Sequence, residues 1–337
     1  MTADPTDPPR PSAPSDTGKD TASGDVLRPT TRLSPVQFRT LESLRRTGDP
    51  IVFDPELINS LRAEMGDALS HFASRLDDQT DLFINKHKIS SALDCEELHL
   101  TPDEFAWTPA NAQGTIAHKA VELLISWPDE PVAADLVDEA MSRLAVDRRG
   151  PGEWIGTLSP GDHAEVHSRA TERVTRFMED FPPLSRRWAP LTEASVRWPN
   201  SGRIVMSGKV DLMFGPRPGP DDDPRESRKV IVDLKTGRPG PRHRQDLAFY
   251  ALLETLVREI PPRKVATFYL DAGVAEAEDV SERLLQSAIR RTLDGIHAII
   301  SLELENRQPT RRPGSACRWC PLSTECDDGQ AHLATIT

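Results

Sequence analysis

The stretch VIVDLKTGRPG, residues 230–240, joins an apolar strand to two charged side chains. Its first residues are β-branched and apolar, which predicts a buried strand. Asp233 and Lys235 follow, and side chains two residues apart in a strand point to the same face of the sheet. A glycine turn comes next. This pair is compatible with a plain ion pair and with half of a metal-dependent active site.

The composition is that of a globular protein. The chain has 337 residues, 37% of them hydrophobic and 28% charged, enough for one large domain or two modest ones. The net charge of −12 argues against a generally basic surface, but local charge and bound ions also decide whether a protein meets nucleic acid. No apolar run approaches the roughly 20 residues that span a bilayer. We therefore expect a cytoplasmic protein that does not associate with membranes.

The order of predicted elements indicates an α/β fold with a helical N-terminal part. Residues 1–30 are rich in Pro, Ser, Thr and Asp, and we expect a disordered tail there. A helical segment, 31–88, should begin with Ser34 as N-cap and Pro35 in the first turn. Helices are predicted at 55–76, 114–126, 132–148, 162–181, 243–260 and 278–307. Strands are predicted on either side of a turn at 200–202, and at 229–236 and 264–273.

Further candidate metal ligands lie upstream of the Asp233–Lys235 strand. Asp211 is near the end of the strand SGKVDLMFG, and GTIAHKAVE places His118 and Glu122 four residues apart on one helix face. Taken singly, an Asp-x-Lys strand is common and a helical histidine is more often structural. Together, two aspartates and a histidine could hold Mg²⁺ or Mn²⁺ over a phosphodiester, with Lys235 neutralising the developing charge.

The order of these motifs resembles the PD-(D/E)XK nuclease superfamily, in particular its RecB/AddB-like branch. The motifs are G-x3-H-x3-E, then E…G-x-x-D, then D-x-K, then a helix with a polar-x3-Tyr pair. The resemblance implies a restriction-endonuclease-like mixed β-sheet flanked by helices, in a nuclease domain at 89–328. It also implies that His118, Asp211 and Asp233 bind the metal and that Lys235 is catalytic. Glu193 resembles a recurrent acidic residue, and Glu122 would support His118.

One motif departs from the family pattern, which is usually Q-x3-Y on the helix after D-x-K. Tyr250 matches the tyrosine in DLAFYALL, but Asp246 stands four residues before it, with Gln245 beside it. Either Asp246 substitutes for the glutamine or Gln245 reaches the site. We expect Gln245 and Tyr250 to take part. The departure affects the positioning of the substrate strand more than the metal chemistry.

The cysteines form a C-x2-C-x5-C run, Cys317, Cys320 and Cys326, with Cys95 far upstream. A disulfide is not expected in a cytosolic chain, whereas structural Zn²⁺ and a [4Fe–4S] cluster both fit four thiolates. The residues alone leave these two open. The resemblance implies the cluster, because AddB-type nucleases carry one cysteine before the core and this triplet after it. The cluster would be an Fe–S staple between the N-terminal part and the C-terminus.

Basic residues near the Asp-x-Lys strand suggest where DNA would bind. Arg238, Arg242 and Arg244 are expected to contact the phosphate backbone, and Trp319 to cover the cluster or stack on a base. We expect a DNA nuclease, acting as an exonuclease on single-stranded or free ends in repair, recombination or defence. The alternative is a catalytically weak DNA-binding scaffold subunit of a helicase–nuclease complex. The chain has no G-x4-GK[ST] motif, so a helicase partner would be another chain.

Overall fold

The computed structural model describes residues 33–102, 105–146, 150–199 and 201–336. The expected disordered tail, 1–30, and Asn200 in the expected turn lie outside these residues. The elements below belong to one unit, Ser34–Thr337.

Helices surround the sheet. In the described ranges the α-helices are α1 Pro35–Leu44, α2 Pro55–Ala73, α3 Lys86–Asp94, α4 Glu96–Leu100, α5 Pro109–Leu124, α6 Ala133–Ala145, α7 Gly152–Gly156, α8 Pro160–Asp180, α9 Pro241–Arg258, α10 Glu282–Glu303 and α11 Asp327–Thr335. Short 3-10 helices lie at Arg186–Trp188 and Ser315–Trp319. The predicted start of α1 is confirmed. The Ser34 side chain accepts the N–H of Gln37, and the Gln37 side chain accepts the N–H of Ser34.

A mixed sheet forms the centre of the molecule. Its strands are β1 Leu82–Ile84, β2 Leu191–Trp198, β3 Ile204–Phe214, β4 Val230–Lys235, β5 Lys264–Tyr269 and β6 Val274–Asp279. β3 pairs antiparallel with β2 and β4 and parallel with β1, while β5 pairs parallel with β4 and antiparallel with β6. The predicted mixed sheet flanked by helices is therefore confirmed.

Two strands share one edge of β3 and leave a gap between them. Met206 pairs with both β1 and β2, so these two strands lie on opposite edges of β3. Leu212 and Met213 pair with both β2 and β4, so β4 lies on the same edge as β1. The register places β1 beside 204–206 and β4 beside 212–214. The gap between them, along 207–211, is where the candidate site lies.

Each face of the sheet is covered by its own hydrophobic cluster. Val230, Val232 and Leu234 of β4 pack in a cluster with α5, α6 and α8. Ile231 packs in the other cluster, with α2, α9 and α10. Because strand side chains alternate, Asp233 and Lys235 lie on the face of Ile231, toward α9.

The structure corrects some sequence-based boundaries. The helix predicted over 278–307 is α10, which begins only at Glu282, and 278–279 belong to strand β6. β6 was missed because its sequence VAEAED is polar and mostly exposed on both faces, as an edge strand can be. β1, α3 and α4 were not predicted either. In the described part of the chain, no helix is long and apolar enough to cross a membrane.

Candidate metal-dependent active site

Two aspartates meet where β4 separates from β3. The last ladder pairs are Phe214–Val230, Met213–Ile231 and Leu212–Val232, so Asp211 and Asp233 stand opposite each other at the next step. There the ladder ends, and the Leu234 N–H donates to the Asp211 carboxylate, Oδ2, at 2.7 Å. The divergence of the two strands therefore places both carboxylates at the mouth of the gap in the sheet.

Three side chains from three elements converge on this point. His118, on α5, has its Nδ1 3.5 Å from Asp211 Oδ1. Glu193, on β2, completes a group in which one ligand atom from each residue lies within 4.8 Å of the others. Among the described residues, no other group of three His, Cys, Asp or Glu side chains meets this distance. Imidazole and carboxylate ligands suit Mn²⁺ and Mg²⁺.

Glu193 reaches the group from an unusual backbone conformation. It lies opposite Asp211 in the β2–β3 register and has φ of 49° inside a strand. A non-glycine residue in the left-handed region costs roughly 1–3 kcal/mol and is often found at functional sites. The Glu193 carboxylate also contacts Lys209 Nζ.

The charges of the group stabilise one another. Burial alone would lower the pKa of His118, but the carboxylates of Asp211, Glu193 and Asp233 outweigh it and raise that pKa above its usual value. Burial would raise the pKa of the Asp211 carboxyl group, but His118 and the Leu234 N–H outweigh burial and lower that pKa. The site is therefore set up for an ionised carboxylate beside a cation.

Asp233 is almost fully buried, with 1% of its surface exposed. Although Asp233 stands near the end of β4, it is part of the core, because α3 and α9 cover that end of the strand. Lys86 Nζ lies 3.0 Å from its Oδ1 and Lys235 Nζ lies 2.6 Å from its Oδ2. Although Lys235 contacts it, Oδ2 lacks a well-aligned hydrogen bond among the described residues. A buried carboxylate oxygen of this kind is a suitable metal ligand.

These residues line one open cavity, the central cleft, of about 860 Å³. His118, Asp211, Asp233 and Lys235 all face it, as does Trp107. The cleft also contains cations that the sequence analysis missed, namely Lys86, Lys119, Arg197 and Lys209. Lys86 comes from a helix that was not predicted, and no local pattern joins it to Asp233 across 147 residues.

Tyr250 supports the gap in the sheet. Its hydroxyl donates to the carbonyl of Lys209, in the part of β3 that borders the gap, at 2.6 Å. Burial raises the pKa of Tyr250 to about 12, so the phenol stays protonated and can donate. The ring lies against Gly208, where an added Cβ would be 2.6 Å from Cε1. The glycine of the G-x-x-D motif is therefore needed to admit this ring.

We expect Gly208→Ala to lower the free energy of unfolding by about 1–3 kcal/mol, because the buried ring cannot move away. The measurement is urea unfolding of both proteins. Gly66→Ala in helix α2 is the control, since no atom lies within 4 Å of its added Cβ and alanine favours a helix. Equal stability of Gly208→Ala and wild type would show that the ring does not depend on this glycine.

Other predicted site residues lie farther out. Glu122 lines the cleft but pairs with Lys119 at 2.8 Å, and it is not in the ligand group. Gln245 lines a separate cavity of about 610 Å³ between α3, α9 and α10. Asp246 is buried and its Oδ2 lies 3.5 Å from Lys86 Nζ. Of the two candidates for the last motif, Asp246 is thus the one connected to Asp233.

The predicted DNA-backbone arginines differ in their surroundings. Arg242 forms an ion pair with Asp94, and Arg244 pairs with Glu278 at 2.5 Å. Arg238 is exposed in the turn after β4. Two of the three predicted DNA-backbone arginines are thus partly neutralised by carboxylates.

The four cysteines line one pocket, although Cys95 is distant in the sequence. All four are free thiols. The backbone N–H groups of Gly314 and Gly329 donate to the sulfurs of Cys317 and Cys326, both at 3.3 Å. Such donors stabilise thiolates that bind a metal or a cluster.

Trp319 does not cover this pocket. It is 78% exposed at the end of the 3-10 helix Ser315–Trp319, and it is not among the residues that line the pocket. The expectation that it shields a cluster is wrong, because the short helix directs its ring toward solvent.

Glu96 fixes the C-terminal segment beside Cys95. Its carboxylate accepts two hydrogen bonds from Arg307, at 2.9 and 3.0 Å, and two from Thr310, at 2.7 and 2.8 Å. The side chain of Glu96 is 5% exposed. Hydrogen bonds from Arg307 and Thr310 lower the pKa of Glu96 to about 2, in spite of its burial. This clamp was not predicted, since its two halves are 211 residues apart.

The Glu96 clamp should make stability depend on pH. Because its folded pKa is lower than the unfolded value of 4.5, its contribution is complete above pH 4.5 and is lost as the pH falls toward 2. We expect Glu96→Gln to cost about 2–3 kcal/mol at pH 7 and much less at pH 3. Urea unfolding at both pH values measures this. Glu97→Gln, next to it and more exposed, is the control, and an equal loss at both pH values would contradict the assignment.

Comparison with known proteins gives limited structural likeness. The chain is similar to a candidate exonuclease from Eubacterium rectale at 12% identity, with a TM-score of 0.43, over 83% of this chain and 93% of that one. It is also similar to the protein SSO0001 at 17% identity, with a TM-score of 0.29, over 64% of this chain and 95% of that one. No curated protein matches the chain.

The family comparison is more decisive. The model of the PD-(D/E)XK nuclease superfamily matches residues 93–327, more than two thirds of the chain. That range includes the ligand group, the Asp-x-Lys strand and all four cysteines. The chain therefore belongs to the PD-(D/E)XK nuclease superfamily.

Proposed function

We propose that this protein is a metal-dependent DNA nuclease that hydrolyses phosphodiester bonds as an exonuclease on single-stranded or free ends. PD-(D/E)XK nucleases use divalent metals, and the His118–Glu193–Asp211 group could bind one. The observation that carries the proposal is the convergence of this group with the buried Asp233–Lys235 pair at the gap in the sheet.

The residues that would hold Mg²⁺ or Mn²⁺ are His118, Glu193, Asp211 and Asp233. His118, Glu193 and Asp211 fit, because they place one imidazole and two carboxylates within 4.8 Å of one another, and Asp233 adds a buried carboxylate outside that group. When bound, such an ion polarises a phosphoryl oxygen and lowers the pKa of a water molecule.

The remaining cleft residues act on the substrate directly. Lys235 is 23% exposed and holds its ammonium at the end of β4, where it would bind the phosphate and neutralise developing negative charge. Lys119, Arg197 and Lys209 line the same cleft and would contact the backbone phosphates on either side. Contacts of this kind do not read sequence, so we expect little sequence specificity.

We also propose that Cys95, Cys317, Cys320 and Cys326 hold a [4Fe–4S] cluster. The common pocket and the two N–H···S hydrogen bonds support a site for thiolate ligands. The choice of the cluster over one zinc ion rests on the resemblance of Cys95 and the C-x2-C-x5-C run to the AddB-type cysteine pattern.

The test is cleavage of end-labelled single- and double-stranded DNA by protein purified without oxygen, with Mg²⁺, Mn²⁺ or EDTA. We expect stepwise shortening of single strands with either metal and none in EDTA. Shortening in EDTA, or DNA binding without cleavage in both metals, would contradict the proposal. The second outcome would favour the scaffold alternative.

A further inference from the structure

A second lysine reaches Asp233 from outside the core motifs. Lys86 is the first residue of α3, and its Nζ lies 3.0 Å from Asp233 Oδ1 and 3.5 Å from Asp246 Oδ2. The ammonium also lies over the Tyr250 ring, 4.6 Å from its centroid. Its side chain is 12% exposed. These contacts account for a nearly buried cation held by two carboxylates and an aromatic face.

Lys86 also explains the departure in the last motif. Asp246 is 6% exposed, and a carboxylate buried to this degree needs a cation or several donors. Among the described residues, Asp246 forms its ion pair with Lys86 Nζ. A glutamine at this position would carry no charge and would need no such partner. The aspartate and the lysine are therefore a matched pair, from two helices far apart in sequence.

We propose that Lys86 is a positioning residue that holds Asp233 before a divalent ion binds. When the ion binds, the Lys86 ammonium moves from Asp233 to Asp246. This rests on the proposed function only in assigning Asp233 to a divalent ion. The ion would lie near the Lys86 ammonium, and like charges a few ångströms apart repel each other. Because Asp246 is already within 3.5 Å, a small rotation of the lysine side chain completes that ion pair without exposing either charge.

The proposal predicts opposite effects for the two partners. Lys86→Met removes a cation that competes for Asp233, so Mn²⁺ should bind about tenfold more tightly. Asp246→Asn leaves Lys86 with Asp233 as its remaining partner, so Mn²⁺ should bind about tenfold more weakly. In the Lys86→Met background, Asp246→Asn should change the affinity less than about threefold, since it acts through the lysine.

The experiment is calorimetric titration of Mn²⁺ into the full-length protein and these variants, purified without oxygen. Asp211→Asn defines the heat from Mn²⁺ bound elsewhere. Thermal melting without metal is the second readout. Lys86→Met should melt lower because Asp246 loses its partner, and the double variant should recover part of that loss.

Each outcome is informative. If Lys86→Met does not fold, Asp246→Asn is compared with the double variant instead. The double variant should then bind Mn²⁺ more than tenfold more tightly than Asp246→Asn does. Weaker binding in Lys86→Met, or an equal effect of Asp246→Asn in both backgrounds, would overturn the inference while leaving the nuclease proposal standing. If wild type binds no Mn²⁺ in an Asp211-dependent way, both proposals fail.

Discussion

Asp233→Asn and Lys235→Ala are each expected to reduce DNA cleavage by about 10³-fold or more. Asparagine keeps the shape of Asp233 but removes the charge that would bind the metal, and alanine removes the ammonium that would meet the phosphate. The measurement is kcat/KM on end-labelled single-stranded DNA at saturating Mg²⁺.

Stability should be measured alongside activity, because Asp233 is buried between two lysines. We expect Asp233→Ala to lose stability as well as activity, whereas Lys235→Ala, at a more exposed position, should stay folded. Glu122→Gln is the matched control, since this carboxylate lines the same cleft but pairs with Lys119. It should change kcat/KM less than about tenfold. Wild-type cleavage by folded Asp233→Asn would show that the site lies elsewhere.

The cysteine site should contain about four irons per chain and colour the protein brown when it is purified without oxygen. We expect Cys95→Ser to lose the iron and to lower the melting temperature, because it releases a link between distant segments. On the loop-entropy model, closing a loop of this length contributes about 5 kcal/mol.

Two comparisons make the cysteine prediction specific. Cys317→Ser should lose iron to the same extent as Cys95→Ser, since both sulfurs line one pocket. Glu96→Gln should lower stability but retain most of the iron, because it alters the support of the pocket and not a ligand. A colourless protein with one zinc per chain would establish the zinc alternative instead.

Sequence patterns predicted the features that depend only on residues close together in the chain. The Asp233–Lys235 spacing, the Ser34 cap and the buried strand β4 depend on neighbours in sequence, and each appears as predicted. The order of the motifs indicated the resemblance to a known family, and the match over residues 93–327 confirms the superfamily.

Contacts between distant segments could not be predicted in this way. The Lys86–Asp233 and Glu96–Arg307 ion pairs join residues 147 and 211 positions apart. In the sequence alone, Lys86, Glu96 and Arg307 resemble ordinary surface charges. Asp246 is the intermediate case. Its motif position was recognised, but its partner on α3 is visible only in three dimensions.

If His118 belongs to a metal site at the gap between β1 and β4, its loss should change the metal requirement of the reaction. The measurement is a titration of DNA cleavage with Mn²⁺ for wild type and His118→Ala, with thermal melts of both proteins. We predict that His118→Ala needs at least about tenfold more Mn²⁺ for half-maximal cleavage, because one ligand of the group is lost. An unchanged Mn²⁺ requirement, with or without a lower melting temperature, would contradict the account and leave His118 as a packing residue.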